Sequence, residues 1–197
     1  MAITVVVVAN GAPPKNLAKT IDKADEVIRF GNTPYYGARA GRRTTALVLR
    51  GGSDGHGIRL STGAGKWKLR KDVLKQRPTI WLLPGRHGPD RAAMLQREFD
   101  PYKARYPSVE GLEVEVISRE WWQTAMIELA QFKEDPKAVS PAPSAGLWVL
   151  HWMLHRKAYR DADIRLAGFA WRYSYHPVRQ EYDLVQQWIK EGRIALL

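Results

Sequence analysis

The stretch I-T-V-V-V-V-A at residues 3–9, followed at once by N-G-A-P-P at residues 10–14, decides the fold. Its apolar residues run on without alternation, and most are β-branched. That is the pattern of a strand buried on both faces, as in a parallel sheet. The run is far shorter than the ~20 apolar residues a membrane helix needs. It also lacks the basic lead-in and small-residue cleavage site of a signal peptide. The Asn-Gly and Pro-Pro pairs end it in a turn.

Outward from this strand the pattern alternates. Residues 15–23 read as a short helix, Glu26–Phe30 (E-V-I-R-F) as a second strand and residues 44–49 as a third. Strand, helix and strand within about 30 residues form a βαβ unit. Residues 51–65 hold six glycines and little hydrophobic pattern, and read as a flexible loop. Thr79–Leu83 reads as a strand ended by Pro84-Gly85. A helix is expected at 90–99, an edge strand at 112–118, a helix at 120–132 and a Pro-punctuated loop at 137–143. A long helix then runs over 145–159 with Ser144 as its N-cap. A strand at 163–168 and an amphipathic helix at 181–192 complete the chain. No repeat or linker interrupts it, so residues 1–197 read as one domain. Strands alternating with helices predict an α/β fold: a mostly parallel sheet with helices on both faces.

The chain carries 31 Lys and Arg against 20 Asp and Glu, a formal charge of +11. Such a balance suits phosphate-bearing partners: nucleic acid, nucleotide, anionic lipid or glycolipid. Seven of the basic residues fall within residues 59–77, beside one acid, Asp72. No signature of an RNA-binding module or zinc finger accompanies them, and nucleic acid is not the expected partner. Cysteine is absent, which excludes disulfides and thiolate chemistry and fits a reducing cytoplasm.

Three turns stand out for chemistry. Asn10-Gly11 follows the first strand, where open α/β sheets collect ligands. A Gly there lets a phosphate approach the backbone, but the pair also suits a plain strand-to-helix turn. No G-x-G-x-x-G or Walker A sequence is present. Pro143-Ser144-Ala145-Gly146 opens an apolar helix whose free N–H groups could meet an anion, or simply be capped. His176, between a strand and a helix, is placed to act as a general base, with Glu181 in the first turn beyond it. His151 and His155 stand one helical turn apart, a metal-ligand spacing. Flanking Trp148 and Trp152 favour packing, and no metal is expected.

In this order the pieces resemble the eukaryotic-type sialyltransferases. V-V-V-A-N-G at 6–11, I-D-K-A-D-E-V-I-R-F-G-N at 21–32 and G-R-R-T-T at 41–45 are similar to the large sialyl motif. P-S-A-G-L-W-V-L at 143–150 and L-A-G-F at 166–169 are similar to the small one. His176 and Glu181 have the spacing of the very small motif. The third motif's His has no counterpart in A-W-R-Y-S-Y at 170–175, where Tyr173, Tyr175 or Arg172 would hold the phosphate instead. The disulfide that joins the large and small motifs in animal members is missing here.

The resemblance implies a Rossmann-like, GT-A-variant domain in a short bacterial relative. It implies an inverting, metal-independent and cofactor-free transfer of a sialic acid or Kdo type of sugar from a CMP-sugar donor to a glycan or glycolipid acceptor. His176 would be the base. Asn10, Gly11, Asn32, Ser144, Ala145, Gly146, Tyr173, Tyr175 and Glu181 would hold the donor. An inactive CMP- or nucleotide-binding accessory protein is the alternative, and a nucleic-acid or anionic-membrane binder a weaker one. The expected place is the cytoplasm, compatible with peripheral contact at the anionic inner face of the membrane.

Overall fold

β1 (Thr4–Val8) lies inside the sheet, as its sequence requires. The computed structural model describes residues 2–37, 39–50, 69–84, 95, 99–132, 143–169 and 178–197. The remaining strands are β2 (Glu26–Phe30), β3 (Ala46–Arg50), β4 (Thr79–Leu83), β5 (Val114–Val116), β6 (Asp163–Ala167) and β7 (Ala195–Leu196). They pair in the order β5-β4-β3-β2-β1-β6-β7, and every described pairing is parallel. The helices are α1 (Ala18–Asp22), α2 (Lys71–Leu74), α3 (Asp100–Arg105), α4 (Arg119–Ala130), α5 (Ala145–Leu154) and α6 (Val178–Lys190).

Successive strand side chains point to opposite faces, and the two layers follow from that. Val5, Val7, Ile28, Phe30, Val48, Trp81 and Leu83 pack with α5 and with Leu184, Val185 and Trp188 of α6. Val6, Val8 and Val27 meet Ile21 of α1 on the other face. There too, Leu47, Leu49, Ile80 and Leu82 meet Val73 and Leu74 of α2 and Tyr102 of α3. Residues 147–153 of α5 are buried throughout, which explains why this helix is apolar all round. Trp152 of α5 stands edge-on to Trp81 of β4 at 4.8 Å, and Tyr159 closes the cluster at 6.4 Å from both.

The α/β architecture with helices on both faces is as the sequence predicts. β2 and β4 keep their expected bounds. Several elements differ. The predicted 145–159 helix stops at Leu154, and a 3-10 turn, Lys157–Tyr159, follows. β7 has two residues, too few for any periodicity to reveal. α2 sits within the basic stretch, where charge hides its two apolar anchors. The predicted loop at 51–65 and nearly all of the predicted helix at 90–99 lie outside the described residues. Among the described residues no helix is long and apolar enough to cross a membrane.

The aromatic cluster couples the centre of the sheet to α5. Trp152→Ala should cost about 3–5 kcal/mol of stability, read as a lower midpoint in urea unfolding at unchanged slope.

Candidate functional site

The chain runs from β1 outward through β2 to β5, then returns to place β6 on the other side of β1. The crevice beyond the carboxyl ends of β1 and β6 is therefore the switch point where ligands collect in such sheets. Backbone bonds join the two turns there. The Ala9 N–H donates to the Ala167 carbonyl at 2.9 Å, and the Gly11 N–H to the Gly168 carbonyl at 2.8 Å. The Gly11 amide is thus engaged with the neighbouring turn. Gly168 has φ +70°, and a Cβ there would stand 2.6 Å from the Gly11 carbonyl oxygen. Only glycine fits.

Asn10 lines a cleft of about 10 Å³ with Arg29, Thr33, Pro34 and Tyr35, room for roughly one water. Asn32 Oδ1 and Thr33 Oγ1 lie buried beyond β2 with no hydrogen-bond partner. Thr33 has φ 45°, an uncommon conformation for a residue with a branched side chain.

At the start of α5, Ser144 Oγ accepts from the Leu147 N–H at 3.1 Å, the expected N-cap bond. The Ser144 N–H donates to Glu181 Oε1 at 2.5 Å, and its hydroxyl donates to Glu181 Oε2 at 2.8 Å. Glu181 is 4% exposed. A carboxylate supplied by α6 thus occupies the anion position at this helix end. Gly146 lies under the Phe169 ring, which a Cβ would approach to 3.1 Å. Ala145 packs partly buried against the main core. Ser144, Gly146 and Glu181 are accordingly built into the packing. His176, Tyr173 and Tyr175 lie outside the described residues.

The residues at 21–45 form a hydrogen-bonded lattice whose partners the spacing alone did not reveal. Asp22 Oδ1 accepts from the Arg42 and Arg43 N–H groups at 2.7 and 2.8 Å. Arg29, 1% exposed, donates from Nε to the Arg43 carbonyl and Thr44 Oγ1, and from Nη2 to the Ala40 carbonyl. Burial pushes its guanidinium down to about 10, against the pull of Asp22. Thr45 Oγ1 accepts from the Val27 N–H at 2.8 Å and donates to the Val27 carbonyl at 3.2 Å. A second polar cluster lies at the far end of α5, where Glu128 of α4 meets His151 and His155. The i, i+4 histidines were legible in the sequence; the Glu, on another helix, was not.

No protein-family model matches the chain. It is similar to a curated protein of Rhizobium meliloti (strain 1021), the urease operon 23 kDa accessory protein, at 30% identity over 206 residues. That alignment covers 98% of this chain and 92% of the relative. Among solved structures, a mammalian sialyltransferase superposes over the whole chain and 69% of its own, at a TM-score of 0.61 and 14% identity. The same enzyme class solved in complex with Gal-beta-1-3GalNAc-ortho-nitrophenol gives 0.62 and 15%, with the same coverage. Those likenesses establish a sialyltransferase-like fold and nothing finer.

The accessory relative overturns the expectation of a CMP-sugar-dependent glycosyltransferase with His176 as base. The geometry gives the physical reason for the misreading. Asp22, Arg29, Thr45 and Ser144, all within the stretches that resemble the large and small sialyl motifs, tie loops to strands and α6 to α5.

Two substitutions measure this structural use. Gly168→Ala should cost about 2–3 kcal/mol from left-handed strain and the backbone clash. Arg29→Lys keeps the charge but loses the fork, and should cost about 2–3 kcal/mol. Both appear as lower thermal midpoints.

Proposed function

Because this chain belongs to the family of the urease operon 23 kDa accessory protein, we propose that it serves a urease system as an accessory protein, acting on a partner protein in the cytoplasm. The observation that carries this reading is the extent of the match, 98% of this chain and 92% of the relative. An alignment of that extent is more than a shared short motif.

The site's geometry supports the same reading. The start of α5 holds the protein's own carboxylate. The formal charge of +11 suits an acidic protein surface, and opposite charge speeds encounter and sets orientation. Part of that basic surface is an open groove lined by Tyr36, Gly37, Arg42, Arg70 and Asp72. Arg70 lies over the Tyr36 ring at 5.0 Å and pairs with Asp72 at 2.9 Å.

Deleting the gene from a bacterium that carries it beside a urease operon should lower urease activity in extracts several-fold at unchanged urease protein level, and a plasmid copy should restore it. Unchanged activity would refute the accessory role. Arg42→Glu in the restoring copy should weaken rescue, because reversing a rim charge slows association with an acidic partner.

A further inference from the structure

α5 is buried over nearly its whole length, yet its last turn carries two imidazoles. Helical spacing stacks His151 and His155 with ring centroids 4.3 Å apart. α4 brings Glu128 to them from the neighbouring element. Glu128 Oε1 stands 3.2 Å from His151 Nε2 and 3.9 Å from His155 Nε2. One donor atom from each of the three residues lies within 4.8 Å of the others. Among the described residues this is the one such grouping of metal-ligating side chains.

Three polar atoms of this cluster make no hydrogen bond within the protein. The His151 side chain is 2% exposed, and neither ring nitrogen makes a hydrogen bond; the 3.2 Å approach to Glu128 is an ion-pair distance without hydrogen-bond geometry. Glu128 Oε2 is buried and unpaired as well. Buried polar groups left in this state are costly, and a cluster of them points to a missing partner. His155 is set up differently. Its Nδ1 lies 2.8 Å from the His151 carbonyl oxygen, which can only accept. A neutral ring held in this way would carry its proton on Nδ1 and leave Nε2 to ligate. Metal-binding histidines are fixed in their tautomer by this kind of backbone bond.

We propose that Glu128, His151 and His155 bind a first-row divalent cation. Two imidazoles and one carboxylate suit zinc, nickel or cobalt, and do not suit magnesium, which takes oxygen ligands. Two atoms each about 2.0–2.1 Å from a tetrahedral ion lie about 3.3 Å apart, close to the Glu128–His151 separation. The 3.9 Å pair closes with a small side-chain shift. Three protein ligands leave a coordination position open, as in sites that exchange ligands rather than purely structural ones. His155 and Glu128 are partly exposed, at 36% and 29%, and give the ion its way in. This site stands independently of the accessory role and of the sheet crevice.

The test uses the full chain, free of any histidine tag and stripped with chelator. It is titrated with zinc, nickel, cobalt and magnesium chlorides by calorimetry. Trp121, whose ring lies 6.0 Å from His151 and 5.6 Å from His155, reports locally through quenching by nickel or cobalt. The expected result is one ion per chain for the first three metals, none for magnesium, and reversal by chelator. Glu128→Gln and His155→Ala should each weaken binding by about tenfold or more. His155 is exposed enough that its variant should unfold at the same temperature as the metal-free parent, which separates loss of ligation from loss of fold. Absence of binding, or stoichiometric binding that survives His155→Ala, would overturn the proposal.

Discussion

The carboxylate of Glu181 is buried where α5 begins, held by the N–H and the hydroxyl of Ser144. A helix start leaves four N–H groups without intrahelical partners and carries partial positive charge. An anion is the natural occupant, and here α6 supplies it. The bond does two things at once. It makes burial of a charge tolerable, and it fixes the last helix against the helix that packs the centre of the sheet. Trp148 and Trp152 of α5 and Trp188 of α6 lie in the same core. The orientation of that layer depends on one carboxylate meeting one helix end.

The lattice around Arg29 plays the matching part on the other side of β1. Asp22 gathers the amides of Arg42 and Arg43, Arg29 gathers three oxygens, and Thr45 locks onto Val27. These letters make up the sequence likeness to a sialyltransferase motif. In this chain they hold the β2–β3 connection together. A shared fold carries shared structural residues, while function rests on the site built upon it. The full-length match to an accessory protein and the 14–15% likeness to the transferases are compatible on those terms.

The fold was legible wherever burial writes a pattern. The unbroken Val run at β1, the exact extents of β2 and β4 and the Ser144 cap all followed from periodicity and helix-end chemistry. β7 and α2 were not legible, because two residues and four residues are too few to set a period. The candidate site was less readable still. Ser144 and Glu181 were both singled out and meet each other, but nothing local tells whether a carboxylate faces a ligand or a helix end 37 residues away. The same holds for His151. Its neighbouring tryptophans spoke for packing, and packing it has; the Glu128 that changes its meaning belongs to another helix.

α5 therefore has two polar ends. The first is closed by Glu181. The second gathers Glu128 and two histidines with buried atoms unpaired. The central claim is that Ser144 and Glu181 at the first end stabilise each other directly. A double-mutant cycle tests it most directly, comparing Ser144→Ala, Glu181→Gln and the pair by urea unfolding without added ligand. Direct contact predicts a coupling energy of about 1–3 kcal/mol. Losses that simply add would contradict it, and would return these residues to the service of a ligand.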